Sequence, residues 1–229
     1  PHTLVMTATP IPRSVAMTVF GDLETIELRD RPAGRAEVKT VFVDTARNPH
    51  WVDRAWERIR EEVAQGRQAF VVCPAISGNK TEGDLEAGAG LSAVTEITPK
   101  LAEGPLKGLR VGMVHGRQAT AERDRTMRAF TAGELDVLVS TTVIEVGVDI
   151  PNASVMVVLD ADRFGIAQLH QLRGRIGRGR HPGLCLLLAA PAPEALTAVD
   201  RLQALVASTD GFELAERDLE LRREGDVLG

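Results

Sequence analysis

The chain of 229 residues is 44% hydrophobic and 26% charged, which suits one large domain, or one domain with appendages, able to bury about 70% of its unfolded surface without staples. Its 2 cysteines, Cys73 and Cys185, sit in apolar runs and read as buried reduced thiols of a cytosolic protein, excluding a disulfide framework or cysteine metal site; no run reaches the roughly 18 apolar residues of a membrane span, and Pro1 has no leader behind it, so the chain reads as soluble and as starting inside a longer protein. The net charge of −5 belongs to the tail, since residues 191–229 hold 4 Arg and no Lys against 9 Asp plus Glu, leaving 23 basic and 23 acidic residues before them.

Val38–Val43 predicts a strand. Val52, Ala55, Trp56, Ile59 and Val63 then recur at helical spacing, and Gln68–Cys73 predicts the next strand, a βαβ signature. Ser77–Gly90, with Gly78, Gly83, Gly88 and Gly90 among polar residues, reads as a loop, and Ala93–Leu101 as a helix. Strand Leu109–His115, helix Thr120–Phe130, strands Asp136–Ser140 and Ser154–Asp160, short helix Ile166–Arg173 and strand Leu184–Ala189 follow. The alternation predicts an α/β domain, a parallel sheet with helices on both faces and its active edge at the carboxyl ends of the strands. Residues 194–206 and 212–222 read as helices after Pro191 and Pro193, predicting a separate C-terminal helical hairpin.

A parallel α/β domain that hydrolyses a nucleotide alone needs a phosphate loop. The nearest candidate, Ser77-Gly78-Asn79-Lys80-Thr81, fails, because alignment on Lys80 puts Pro74 and Asn79 where the loop needs glycines. No strand is followed by a carboxylate pair suited to magnesium, and no metal-ligating cluster is evident. What stands out is Gln171-Leu172-Arg173-Gly174-Arg175-Ile176-Gly177-Arg178. Its glycines permit a tight turn, and Arg175 and Arg178, three apart as on a helical turn, aim two guanidinium forks at one place. Guanidinium is planar, always charged and bidentate, which suits a phosphoryl group supplied by another domain. From Arg163 to His181 there are five arginines and no acidic residue, a local anion-binding candidate, although on charge alone a solvated basic loop is the commoner explanation. Ser140-Thr141-Thr142 ends a strand and leads through Gly147 and Asp149 to Pro151. Those hydroxyls and amides suit a nucleic-acid phosphate, and Asp149 suits a ribose hydroxyl or the arginines; a helix cap and a turn set by Pro151 would use the same residues. With 3% aromatics and no Tyr, the sequence disfavours binding of single strands by base stacking.

These two segments, with Thr7-Ala8-Thr9-Pro10-Ile11-Pro12-Arg13, resemble motifs VI, V and III of the superfamily 2 helicases. The wording is closest to the RecG family of branched-DNA translocases, through Gly21-Asp22-Leu23, Pro32-Ala33-Gly34-Arg35, Val114-His115-Gly116-Arg117, Arg163-Phe164-Gly165 and Asp210-Gly211-Phe212. The transcription-repair coupling factor shares three of the segments and stands as the alternative. The resemblance implies a RecA-like sheet of the P-loop NTPase type. Residues 1–35 would be the end of a first motor domain and linker, 36–190 the second motor domain, and 191–229 a helical translocation-motif region. It implies ATP and Mg²⁺ held mainly by the first motor domain, whose phosphate loop would precede Pro1. Arg175 and Arg178 would act on the phosphates, and Gly147, Asp149 and Gln171 would lie at the nucleotide. Thr141, Thr142, His115 and Arg117 would grip DNA, and Thr7, Thr9 and Arg222 would couple hydrolysis to movement. The implied partners are forks and Holliday junctions, met by a monomer in the cytoplasm at the bacterial nucleoid, with no membrane.

One departure stands out. Leu221-Arg222-Arg223-Glu224-Gly225 replaces the family's Gly-Pro turn with Arg-Glu. A DNA-binding module indifferent to ATP, or a scaffold, is the reading of another class, and the Gly-Arg-x-Gly-Arg spacing disfavours it because simple binding has no need of two finger-like arginines. Glu213, Glu216 and Glu220 recur at helical spacing, which predicts an acidic face paired with the arginine stretch.

Overall fold

A computed structural model describes residues 36–74, 89–141, 150–192 and 195–228. In chain order these form β1 (Val38–Asp44), α1 (His50–Ala64), β2 (Gln68–Val72), α2 (Ala89–Glu103), β3 (Val111–Val114), α3 (Thr120–Thr131), β4 (Val137–Ser140), β5 (Ala153–Val158), a single 3₁₀ turn at Ala161–Arg163, α4 (Ile166–Arg173), β6 (Gly183–Ala189), α5 (Leu196–Ala207) and α6 (Gly211–Leu228). The strands make one sheet in the order β1-β6-β5-β2-β4-β3, and every pairing is parallel. Short apolar runs such as Gln68–Val72 and Ala153–Val158 are buried at every position. That follows from the parallel ladder, whose crossover helices cover both faces and leave no polar side to alternate with.

Alternate strand residues feed two cores. Ala69, Val71 and Cys73 pack with Ala55, Trp56 and Ile59 of α1 and Val94 and Leu101 of α2. Phe70 and Val72 pack on the other face with Phe130 of α3 and Ile166, Leu169 and Leu172 of α4. The tail helices join this second core, for Leu202 and Leu205 of α5 and Leu214 and Leu221 of α6 belong to the same cluster. The hairpin predicted as separate is therefore docked on the sheet domain. Pro191 interrupts the chain, but the leucine stripes still have to leave water, and each such side chain contributes about 1.5–3 kcal/mol when buried. Cys73 and Cys185 are free and buried. Burial pushes each thiol up to about 12, in Cys185 despite the opposing charge of Arg173, so neither forms a reactive thiolate.

At the amino end of β4, Asp136 closes the outer corner of the sheet. Its carboxylate accepts from the backbone N–H of Arg110 at 2.7 Å and from that guanidinium at 3.1 and 2.6 Å. Partial burial pushes the Asp136 carboxyl up, but the hydrogen bonds and charge of Arg110 outweigh it and hold the group below its ordinary value. A depressed folded-state value stabilises the fold above the unfolded carboxylate range and ceases to do so as pH falls through it. The melting-temperature gap between the native chain and Asp136→Asn is expected at pH 7, should narrow as pH falls below about 4, and should close once pH passes the lowered folded-state value. A gap unchanged in acid would show that the ionised pair contributes nothing.

Candidate functional site

The arginine segment lies where α4 delivers the chain to the start of β6. This helix follows β5 and runs back against the strand direction, so residues 174–182 sit at the amino edge of the sheet. Gly183, the first residue of β6, donates its N–H to the carbonyl of Glu37 just before β1. The sequence predicted an active edge at the carboxyl ends of the strands, whereas the antiparallel return of α4 places Arg175 and Arg178 at the amino end.

The two arginines also lie beyond the helix, not on one of its turns. Helix α4 ends at Arg173, the N–H of Arg175 donates to the carbonyl of Leu172 at 2.9 Å, and Gly177 then adopts φ +67. A Cβ on Gly177 would stand 2.5 Å from Val38 Cγ2, and one on Gly183 2.9 Å from the same methyl. Only glycine fits such a left-handed, closely approached position. Ile176 is fully buried between the two arginines, while Arg175 is half-buried and Arg178 exposed. The Nε of Arg178 donates to the carbonyl of Gly174 at 2.9 Å, which closes the loop on itself. The loop is thus pinned at its centre and offers guanidinium groups at its flanks. Gln171 is exposed on α4, four residues before Arg175.

The second group of predicted residues gathers at the carboxyl edge. Val114 and Ser140, which end β3 and β4, are register partners. His115 and Thr141 therefore leave the sheet side by side, and the N–H of Thr141 donates to the carbonyl of Val114 at 3.4 Å. The turn after His115 is held by Gln118, whose Oε1 accepts from the His115 N–H at 3.1 Å and whose Nε2 donates to Glu122 at 3.2 Å in the first turn of α3. Arg117 at the tip is exposed, whereas His115 and Thr141 are buried. The His115 Nδ1 and the hydroxyl of Ser140 are buried without a hydrogen-bond partner, a cost of about 1–3 kcal/mol each that native interiors seldom carry. Thr7, Thr9, Thr142, Gly147 and Asp149 lie outside the described residues, as does the rejected loop 77–81. Arg222 falls on α6, and its side chain is likewise outside them.

A residue the sequence reading passed over connects the arginine loop to the tail. Arg173 is buried, with 4% of its surface exposed. Its Nη1 donates to the carbonyls of Leu205 at 2.7 Å and Ser208 at 2.8 Å, at the carboxyl end of α5, and to Thr40 Oγ1 at 3.3 Å. Its Nη2 lies 2.9 Å from His170 Nδ1. A fixed cation at a helix carboxyl terminus meets both the unpaired carbonyls and the negative end of the helix dipole. The only sequence signal was a charged residue set beside the apolar stripe Ile166, Leu169, Leu172. The acidic face predicted to pair with the arginines makes bonds of its own, since Glu213 accepts from Ser208 Oγ and Glu220 from Arg217. The tail is joined to α4 through backbone carbonyls.

Among the described residues no group of three His, Cys, Asp or Glu comes together as a metal site, and no helix is long and apolar enough to cross a membrane. The RecG proteins of Mycobacterium bovis, Escherichia coli and Bacillus subtilis, each named ATP-dependent DNA helicase, are 56%, 46% and 44% identical to this chain over its whole length. The chain spans about a third of those relatives, 31% of the first. The structure of RecG bound to a three-way DNA junction superposes with a TM-score of 0.73 and 42% identity, over 93% of this chain and 26% of that one. Yeast Dbp5 bound to RNA and ADP BeF3 shares the fold alone, with a TM-score of 0.53 and 18% identity over 92% of this chain and 51% of its own. Residues 54–180, which include both the His115–Thr141 edge and the arginine loop, match the family described as the helicase conserved C-terminal domain. With its parallel RecA-like sheet and its glycine-pinned arginines, the chain belongs to that helicase family.

Proposed function

We propose that the chain is the second motor domain of an ATP-dependent translocase that remodels branched DNA at stalled forks and Holliday junctions. The observation that carries the reading is the division of labour across one sheet. A cluster of hydroxyl, imidazole and guanidinium groups forms one edge, and a glycine-pinned arginine loop forms the other. A module that only bound DNA would need the first and not the second. Identity to RecG over the whole chain supports the RecG-type motor over that of a transcription-repair coupling factor.

In this reading residues 1–35 complete the first motor domain and linker, 36–190 are the second, and 191–229 carry the translocation motif. The arginine loop fits a triphosphate, being fixed in backbone and cationic at its flanks, and by the RecG resemblance magnesium would be held mainly by the first motor domain. When bound, ATP supplies the phosphoanhydride that is cleaved. Arg175 and Arg178 stabilise the charge that develops there, with Gln171, Gly147 and Asp149 at the nucleotide. Arg117 with His115, Thr141 and Thr142 holds a DNA backbone, and Thr7, Thr9 and Arg222 pass hydrolysis on as movement. The intact protein acts as a monomer in the cytoplasm, at the bacterial nucleoid.

The intact protein is expected to hydrolyse ATP faster with a three-way junction than with linear duplex and to unwind the junction, while residues 1–229 alone turn over no ATP above background. Junction-stimulated hydrolysis by the isolated chain would overturn the half-motor assignment. Equal stimulation by any duplex would remove the branched substrate.

A further inference from the structure

Arg178 stands between two glycines that each close on the rest of the domain. Gly177 meets Val38 and Gly183 of the sheet, and Gly179 meets the carbonyl of Pro151, where a Cβ would stand 2.3 Å from the oxygen and 3.2 Å from the carbon. The second contact is only as fixed as the turn that presents that carbonyl. The turn runs from Ile150 to Ala153, whose N–H donates to the Ile150 carbonyl at 3.0 Å, and it enters β5 where the ladder is irregular. Gln68 pairs with Ala153 but Ala69 pairs with Val155, so Ser154 is an extra residue of the kind that leaves a ladder locally unpaired.

Side chains hold the chain there. Ser154 Oγ donates to the buried carboxylate of Glu62, which Arg67 also reaches. Asn152 Nδ2 donates to the carbonyl of Gly66 at 2.9 Å and to Gln68 Oε1 at 3.3 Å, and the Asn152 carbonyl accepts from the Gln68 N–H at 3.0 Å. Both partners are firm. Gly66 turns the chain between α1 and β2 at φ +77, and the buried Gln68 gives its Nε2 to the carbonyls of Phe130 and Leu135. Asn152 thus ties the turn to the start of β2, one residue from the carbonyl that Gly179 meets, and every group in this chain of contacts lies at the amino edge. Asn152 itself is exposed, so no core depends on its side chain.

We propose that Asn152 is a positioning residue for Arg178, holding the Pro151 turn as the support on which Gly179 and the arginine beside it rest. The inference rests on the motor reading given above and adds to it what fixes the arginine in place. A carboxamide is required because the Gly66 carbonyl only accepts, and a carboxylate of the same shape would face it with lone pairs. In an enzyme a misplacement of about 1 Å far from the chemistry can cost about 100-fold.

The test uses the intact helicase with a three-way junction and measures kcat and KM for ATP, junction affinity and thermal melting for Asn152→Asp and Asn152→Ala. Both remove the donors; the first keeps the shape and the second adds no charge. Each is expected to lower kcat about 10-fold, with KM and junction affinity within about threefold and the melting curve unchanged. In an Arg178→Ala background the same substitutions should change kcat by less than about twofold, because residues that act through one another are not additive. A native kcat in Asn152→Ala, a loss confined to Asn152→Asp and so to its added charge, or a loss of about 10-fold that persists without Arg178 overturns the proposal. Early melting with kcat and junction affinity lost together marks a support of the fold alone and overturns it as well. Native turnover in Arg178→Ala would instead remove that arginine from the phosphates, and the inference with it.

Discussion

Arg178→Ala in the intact protein is expected to lower junction-stimulated kcat for ATP by about 10³-fold or more, with a smaller change in KM and with junction binding retained. The expected loss corresponds to about 4 kcal/mol of transition-state stabilisation. Arg178 is exposed, and its described bond to the Gly174 carbonyl is one the loop can lose without opening a core. A fall in turnover for this variant with an unchanged melting curve therefore reports chemistry and not unfolding. Arg175→Ala should act in the same direction, and because Arg175 is half-buried beside Ile176, its melting curve must accompany the kinetics. Separate replacement of the two arginines also tests whether both meet the phosphates. A variant with near-native turnover removes that arginine from the role and leaves the other in it.

Arg173→Ala carries the largest expected effect on stability. It removes a buried guanidinium and strands the carbonyls of Leu205 and Ser208, each bonded at under 3 Å. Buried acceptors left without donors cost about 1–3 kcal/mol apiece, and a charged donor raises the upper end, so a loss of about 2–5 kcal/mol in urea unfolding is expected. Because the bonds tie α4 to the end of α5, protection of amides in α5 and α6 against hydrogen exchange should fall before that of β2 or β5. Arg173→Lys keeps the charge but not the fork, and should recover part of the loss. A loss under about 0.5 kcal/mol, within the range of ordinary surface changes, would show that the hairpin is held by its leucines alone.

Much of this fold could be read along the chain, and the reason is local. A strand covered on both faces must be apolar throughout, so Gln68–Val72 and Ala153–Val158 announce themselves as short runs, whereas α1 shows its stripe of Ala55, Trp56 and Ile59 at helical spacing. The boundaries moved by a residue or a few. Asp160, predicted as the end of a strand, turns instead in the left-handed region at φ 46, which an aspartate tolerates better than most residues. The glycine and arginine spacing of residues 174–178 suggested phosphate chemistry from residue type alone, because side-chain chemistry does not depend on where the loop is carried.

Strand order, the edge each segment occupies and the docking of the tail were settled by contacts between distant parts of the chain, to which periodicity is blind. Thr40 and Arg173, 133 residues apart, meet only because β1 pairs with β6 and α4 returns across the sheet. That return puts the arginines at the amino edge, away from His115 and Thr141. The same packing turns Arg173 from one basic residue among five into the donor that closes α5, since its worth lies in two carbonyls of another helix. Pro191 marked a break in the chain, yet burial of Leu202, Leu205, Leu214 and Leu221 against the sheet made the hairpin part of the domain. Residue type and spacing therefore prescribed the elements and the side chains they carry, while the burial of apolar stripes and the pairing of buried polar groups across the fold decided where those side chains stand.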